Sequence, residues 1–363
     1  MKSTFPPSCL LSHWLRSLFC AAIFFFPLEI QAATDTWKTA PGNSNWGTKQ
    51  NWASGKTPAT GDLLQFTNSS RTTLNNNIAA NTSFSGINFT TNASAFNFSG
   101  NAVALTGGIT NSSQSLQTIN LAIANNDLTS LVVTTSGSGG NITLGGVISG
   151  TNSLIASGSG TLTLTGSNSY TGTTTVSSGT VSLSNTGKLS GTTNVVVNGG
   201  SLLLGGNNSI NPSANLTLGG GTLSLGAGAT RAPAQAINTL TLTANSVIDF
   251  ANLSGTSALT FSSIIGLSTY TLSIYDWNGT TLWGTTSTTG GTNQTTQLID
   301  LNGLTQSELN HISFYSGSGT GLLGSGTFQG TQIIPVPEPS MILASILLLG
   351  WLIGSFSFPR PDC

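Results

Sequence analysis

The sequence predicts an all-β protein: a single-stranded parallel β-helix (β-solenoid) with a cap at each end, an N-terminal signal peptide and one C-terminal transmembrane helix. Three observations predict the solenoid: scarce charge, abundant glycine, and a repeat of about twenty residues. Only 5% of the 363 residues are charged and 37% are hydrophobic, with a formal net charge of −1. Disordered chains usually combine low hydrophobicity with high net charge, so this composition indicates a regular scaffold that buries its apolar residues.

Residues 1–33 are interpreted as a secretory signal peptide. The segment carries Lys2 and Arg16, continues with an apolar run and ends in the small residues Ala32 and Ala33. This order is typical of a secretory signal, and the apolar run is too short to span a bilayer. Signal peptidase is therefore an expected partner, with cleavage after Ala32 or Ala33.

Residues 34–80 are predicted to form an N-terminal cap. A solenoid needs a terminal unit that covers the open edge of its strand ladders, and the tryptophans of this segment suit that purpose. Tryptophan faces also suit carbohydrate rings, so a sugar-stacking site is the alternative. Its candidate residues are Trp37, Trp46, Trp52 and, near the other end, Trp283.

Residues 81–268 are predicted to form the solenoid, whose repeat is clearest between residues 140 and 225. The motif reads GNITL at 140–144, GTLTL at 160–164, GTVSL at 179–183, GSLLL at 200–204 and GTLSL at 221–225. Each copy alternates apolar and polar residues, which is typical of a strand with one buried face. Stacking the copies about 4.8 Å apart would bury the columns 142/162/181/202/223 and 144/164/183/204/225. Leu240-Thr241-Leu242 is expected to continue the series without its glycine.

The segment from Gly160 to Leu183 reads GTLTLTGSNSYTGTTTVSSGTVSL. It resembles the autotransporter-associated β-strand repeat, in its GTLTLTG opening, in the NSYTG motif at 168–172 and in Val181. That repeat occurs in large surface proteins, so the resemblance implies a passenger-type role.

Residues 269–335 are predicted to form a C-terminal cap. Thr305-Gln306-Ser307-Glu308 has the spacing of a capping box, which predicts a short helix with Leu309 and Ile312 on its apolar face. Phe314 and Tyr315 are expected to return to a strand.

Residues 336–363 are predicted to be a sorting tail. Val336-Pro337-Glu338-Pro339-Ser340 precedes an apolar run from Met341 to Phe358, and Arg360 follows. As a helix, that run would reach about 27 Å, enough for a transmembrane segment. A buried C-terminal helix is the alternative.

This tail resembles the PEP-CTERM sorting signal of exported bacterial proteins, which joins a Pro-Glu-Pro box, a membrane helix and a basic end. The resemblance implies recognition by an exosortase-type membrane protease and delivery to the cell surface or extracellular matrix. The chain would then be anchored by the helix either transiently or permanently. The match at Pro337, Glu338, Pro339 and Ser340 is good, whereas Arg360 is the only basic residue at the end.

The residues suggest no catalytic, cofactor-binding or metal-binding set. His311 is the only histidine after the leader and is expected on the surface. Between residues 140 and 225 no acid occurs and Lys188 is the only charge, whereas a polysaccharide-cleaving β-helix needs clustered carboxylates. The few scattered bases also argue against nucleic acid as a partner.

The sequence therefore predicts an exported structural or adhesive protein of the cell surface or extracellular matrix, with exopolysaccharide as a candidate partner. A carbohydrate-binding surface module is the alternative from another class. A polysaccharide-cleaving enzyme is less favoured. So is an ice-binding protein, because Leu203 interrupts the outward Thr and Ser positions that such a protein would need.

Overall fold

The computed structural model describes most of the chain between Ala32 and Val336. The described ranges are 32–126, 130–136, 139–226, 234–251, 257–277, 296–300, 303–329 and 332–336. Several predicted segments lie outside these ranges: almost all of the leader, the tail from Pro337 through Ser340, the run Met341–Phe358 and Trp283. Within those ranges, no helix is both long enough and apolar enough to cross a membrane.

The described residues belong to one compact unit, a parallel β-solenoid with two long strand ladders. The first ladder stacks Thr34–Thr36, Leu63–Phe66, Gly86–Phe89, Ile109–Asn111, Leu131–Thr135, Leu154–Gly158, Thr174–Val176, Asn194–Val197, Asn215–Gly219, Ala234–Ala244, Ser257–Ile265 and Thr296–Asp300. The second stacks Thr73–Asn76, Asn97–Gly100, Gln117–Ile119, Ile142–Leu144, Thr161–Leu164, Thr180–Leu183, Ser201–Leu204, Thr222–Ser224, Ser246–Asp249, Leu272–Tyr275 and Ile312–Tyr315. The predicted all-β parallel solenoid is confirmed.

A third ladder of short strands closes several coils. It stacks Thr82–Phe84, Val103–Leu105, Ile123–Asn125 and Ile148–Gly150. Ser167–Asn168 and Lys188–Leu189 pair separately as a two-stranded sheet. A coil in this part of the solenoid thus holds three strands, whereas the glycine-marked repeat of the sequence identifies only the strand in the second ladder.

The second ladder has the register that the sequence predicts. Ile142, Leu162, Val181, Leu202 and Leu223 align as one column of nearly inaccessible side chains. Leu144, Leu164, Leu183 and Leu204 align as the second column, and Leu225 is buried beside them. This register and burial confirm both predicted core columns. The columns arise because successive strand residues point to opposite faces.

The assignment of Leu240–Leu242 to this series is wrong. These residues lie in the first ladder, where Leu240 pairs with Leu216 and Leu242 with Leu218. The next strand of the second ladder is Ser246–Asp249, in which Val247 pairs with Thr222. The coil from Thr222 to Val247 is longer than the four before it and includes an eleven-residue strand, so the twenty-residue count fails there.

Close stacking of the coils requires glycine at particular turns. Gly158 has a φ of +96°, and a Cβ atom there would overlap the backbone of Thr135 in the coil before it. Gly172 has an ordinary φ, but its Cβ atom would overlap the backbone of Asn152 and Ser153. These two glycines let neighbouring coils approach to backbone contact.

Parallel pairing extends into both segments predicted as caps. It begins at Thr34, and the N-terminal segment adds a short 3₁₀ helix at Lys49–Asn51. At the other end the stack closes with two antiparallel strands, Leu322–Gln329 and Gln332–Pro335. The first pairs with the last strand of the second ladder, and the second pairs with the last strand of the first.

The short C-terminal helix spans Gln306–Leu309 and has the predicted capping box. The Thr305 hydroxyl accepts a hydrogen bond from the Glu308 amide at 3.3 Å, and the Glu308 carboxylate accepts one from the Thr305 amide at 2.9 Å. Ile312 lies in the next strand rather than on the helix. His311 is partly buried, whereas from the sequence it was expected to be exposed. Its Nδ1 has no hydrogen-bond partner among the described residues.

Candidate binding surfaces

The outward positions of the second ladder form a neutral surface, which we call the hydroxyl face. One of its columns consists of Thr161, Thr180, Ser201 and Thr222, and the other of Thr143, Thr163, Ser182 and Leu203. All eight side chains are half-buried, because each strand turns every second residue outward from the core. Leu203 interrupts the second column, as the sequence indicated.

This face carries hydrogen-bonding groups but no charge. Each hydroxyl can donate one hydrogen bond and accept two, so the face can match a partner that presents hydroxyl groups of its own. Lys188, the only charged residue between residues 140 and 225, lies in a separate two-stranded sheet, and its Nζ donates to the Asn207 carbonyl at 3.4 Å. The chemistry of this surface therefore suits a neutral polar polymer better than a phosphate backbone.

A column of amides runs along the edge of the first ladder. Asn215 donates to the Asn194 side chain at 3.4 Å, and Asn238 donates to the Asn215 side chain at 2.9 Å. Asn194 and Asn238 are exposed. The sequence reasoning missed this column, although an asparagine one or two residues before an apolar strand residue recurs from coil to coil.

Asn168 and Tyr170 of the family-like NSYTG motif lie inside the solenoid, whereas Ser169 and Thr171 are exposed. Asn168 accepts from the Ile148 amide at 2.9 Å and donates to the carbonyls of Gly166 and Lys188, so it joins neighbouring coils. The Tyr170 hydroxyl lies 2.6 Å from that of Thr174, and burial raises the pKa of Tyr170. The two buried side chains of the motif therefore stabilise the stack.

Trp37, Trp46 and Trp52 are buried at the N-terminal end, each at most 1% exposed. Trp52 packs edge-on against Trp37 and Trp46, and its Nε1 donates to the Trp46 carbonyl at 2.6 Å. Phe66 completes the cluster. This packing contradicts the sugar-stacking hypothesis for these three residues, because no ring face is open to a sugar. Trp283 lies outside the described residues.

The C-terminal end gathers two carboxyls and two phenols, which we call the acid–tyrosine cluster: Asp249, Tyr275, Asp276 and Tyr315. Asp249 and Tyr275 are register partners at an outward position of the second ladder. The rings of Tyr275 and Tyr315 pack edge-on with centroids 5.4 Å apart. All four side chains are half-buried.

The two aspartates of this cluster are in hydrogen-bonding contact. Burial raises the pKa of Asp276, and the charge and hydrogen bond of Asp249 raise it further. Carboxyls beside half-buried phenols are suited to hydrogen bonding and stacking with a sugar. This pairing is not evident from the sequence because Asp249 and Asp276 lie far apart along the chain.

Within the part of the chain that the structure describes, no group of three or more His, Cys, Asp or Glu residues could hold a metal ion. Described carboxyls meet in pairs instead, one at each end of the solenoid.

Comparison with known families identifies a transport repeat in the middle of the solenoid. The passenger-associated-transport-repeat model matches residues 154–183, which run from a first-ladder strand through the NSYTG motif to a second-ladder strand. This confirms the resemblance seen between Gly160 and Leu183, although the match covers less than a tenth of the chain. Repeat and fold together fit a surface-exposed, passenger-type β-solenoid. Searches of curated proteins and of solved structures found no match.

Proposed function

We propose that this chain is an exported structural or adhesive protein of the bacterial cell surface or extracellular matrix. Its solenoid acts as a rigid spacer whose hydroxyl face binds matrix exopolysaccharide. The observation that carries the proposal is the passenger-associated repeat at 154–183, placed in coils whose outward positions hold hydroxyls and no charge. Those hydroxyls can exchange hydrogen bonds with sugars while the buried columns keep the face regular.

Export and sorting form the first part of the proposal. Signal peptidase removes the leader, and an exosortase-type membrane protease acts at Val336–Ser340 and releases the Met341–Phe358 helix. The test is the intact mass of the protein recovered from its native envelope and medium. A mass lacking the leader and everything after about Pro339 is expected. A mass that includes the helix would overturn the sorting step, and one that includes the leader would overturn export.

Binding of exopolysaccharide by the hydroxyl face is the second part. Thr163→Val with Thr180→Val removes one hydroxyl from each column, on adjacent strands, and keeps the β-branched shape of both side chains. Thr175→Val with Thr217→Val is the matched control, because both residues are half-buried outward positions of the first ladder. Retention on immobilised native exopolysaccharide should fall for the first pair only. Equal retention of both pairs would contradict this assignment.

The acid–tyrosine cluster favours the alternative function, a carbohydrate-binding module. Its support is the pair of half-buried tyrosine rings beside hydrogen-bonded carboxyls. If sugars bind there, Tyr275→Leu with Tyr315→Leu should abolish retention while the hydroxyl-face variants have no effect. We expect no catalytic activity from this protein. Cleavage of polysaccharide by the native protein that Asp249→Ala or Asp276→Ala abolishes would contradict that expectation.

A further inference from the structure

Two acidic side chains are buried in the first coil, where the solenoid begins. Asp35 is 3% exposed and Asp62 is 6% exposed. Asp35 occupies an inward position of the first ladder, in register with the core residue Leu64. Buried carboxylates are strongly destabilising unless they are paired with hydrogen-bond donors or cations.

The carboxylate of Asp62 binds the backbone at the point where the folded chain starts. Its Oδ1 accepts from the Ala33 amide nitrogen at 3.1 Å, and its Oδ2 accepts from the Ala59 amide at 2.7 Å. The Ala33 carbonyl accepts from the Leu63 amide at 2.8 Å, so both backbone groups of Ala33 belong to the first coil. The bond before that nitrogen is the Ala32–Ala33 peptide, one of the two predicted cleavage points.

The two buried carboxyls, Asp35 and Asp62, have little positive charge near them to balance their own. Burial raises the pKa of Asp35, and the neighbouring Asp62 raises it further, while the Ser54 hydroxyl and the charge of Lys56 oppose the shift. Lys56 itself is exposed. Two buried carboxyls thus lie close to each other, and the cation that acts on Asp35 is the solvated Lys56.

We propose that removal of the leader after Ala32 turns the Ala33 amide into an ammonium that forms a salt bridge with the buried carboxylate of Asp62. Hydrolysis breaks the Ala32–Ala33 C–N bond, and water supplies the hydroxyl of the new Ala32 carboxyl and a hydrogen for the Ala33 amine. That amine then takes one proton from the solvent. The inference rests on the proposed export, because only export removes the leader.

The geometry also selects between the two predicted cleavage points. Cleavage after Ala33 would remove both the donor to Asp62 and the carbonyl that holds the Leu63 amide. Cleavage after Ala32 keeps both hydrogen bonds and adds a positive charge to one of them. A charge-assisted hydrogen bond is about twice as strong as a neutral one, so processing stabilises the first coil.

The test uses the full processed chain and its α-amine. The acetylation rate of that amine is measured against pH by mass spectrometry of the N-terminal peptide. Its apparent pKa should lie at least about one unit above the ordinary value near 8, since the carboxylate stabilises the ammonium. Asp62→Asn should return it to the ordinary value, whereas Asp276→Asn, at the other end of the solenoid, should leave it raised.

A second readout covers the case in which Asp62→Asn does not fold. Selective acetylation of the Ala33 amine in the otherwise native protein should lower the urea midpoint of unfolding. An Ala33 terminus with an ordinary amine pKa, or an unchanged midpoint, overturns the inference and leaves export intact. A processed protein that begins at Thr34 also overturns the inference and leaves the proposed export intact. A retained leader overturns the proposed export.

Discussion

The middle of the solenoid and its two ends are built from different side chains. Between residues 140 and 225 the core consists mainly of aligned Leu, Val and Ile columns, and Lys188 is the only charged residue of that segment. The N-terminal end instead packs tryptophans and phenylalanines against one another and also buries Asp35 and Asp62. At the C-terminal end, Trp277 packs on Phe314 with ring centroids 4.8 Å apart, close in sequence to Asp276.

The difference follows from what each coil has above and below it. A middle coil is paired on both sides, so one aliphatic residue repeated at each core position is sufficient to fill its core. A terminal coil has an unpaired edge that would bind other strands unless it is covered or carries inward-facing charge. The ends therefore need individual contacts, such as large rings and paired carboxyls, that repetition cannot supply.

The largest expected effect is loss of a core side chain in the middle. Leu183→Ala removes a fully buried residue whose column neighbours are Leu164 and Leu204. The free energy of unfolding should fall by about 2–5 kcal/mol in urea titration. Leu203→Ala, on the outward side of the next coil, is the control and should cost under about 1 kcal/mol. Equal losses would contradict the assigned register.

Close stacking in the middle predicts the next effect. Gly172→Ala forces a methyl group into the backbone of Asn152 and Ser153, so the free energy of unfolding should fall by about 3 kcal/mol. Gly42→Ala, at the N-terminal end, meets its nearest atom at 3.9 Å and should be nearly neutral. Similar urea midpoints for the two variants would mean that the coils are not in backbone contact at Gly172.

The buried amide of the NSYTG motif gives a smaller effect. Asn168→Ala leaves the amide of Ile148 and the carbonyls of Gly166 and Lys188 without this partner. We expect a loss of about 2 kcal/mol, measured by thermal and urea unfolding. Asn185→Ala, at an exposed turn of the following coil, should have almost no effect. A neutral Asn168→Ala would show that the motif does not join the coils.

The smallest effect concerns the carboxyl pair of the acid–tyrosine cluster. The pKa of Asp276 is raised in the folded state above its ordinary 3.8, so the folded protein binds more protons than the unfolded chain. Its contribution to stability is therefore present below that ordinary value and is lost as the pH rises through the folded pKa.

Asp276→Asn removes this loss of stability at rising pH. Asparagine also tolerates the φ of +53° at this position. The variant should be more stable than the native protein at pH 7, by under about 1 kcal/mol because solvent screens the pair, and equally stable at pH 3. A variant less stable at pH 7 would contradict the proposed repulsion.

The second ladder could be predicted residue by residue because its glycine-marked alternation recurs at an almost constant spacing. The first ladder could not, because strands such as Val195-Val196-Val197 lack that glycine and alternate less clearly. The misplacement of Leu240–Leu242 has the same origin: the longer coil after Ser224 breaks the count on which the assignment rested.

The candidate surfaces could be predicted only in part. The outward hydroxyls follow from strand alternation, whereas the contact between Asp249 and Asp276 depends on the length of one particular coil. The burial of Trp46 could not be predicted because it depends on Phe66, Phe84 and Phe98 packing around its ring. These three phenylalanines come from three different strands.

The central claim, a solenoid displayed on the cell surface with its hydroxyl face outward, can be tested with single cysteines. Ala33 to Val336 contains no native cysteine, so Thr163→Cys and Leu164→Cys can each be made together with Cys363→Ser. Intact cells of the native host are treated with a membrane-impermeant maleimide. We expect labelling of Thr163→Cys on intact cells and of Leu164→Cys only after denaturation. Labelling of Thr163→Cys only after cell lysis would contradict surface display, and equal labelling of both residues on intact cells would contradict the fold.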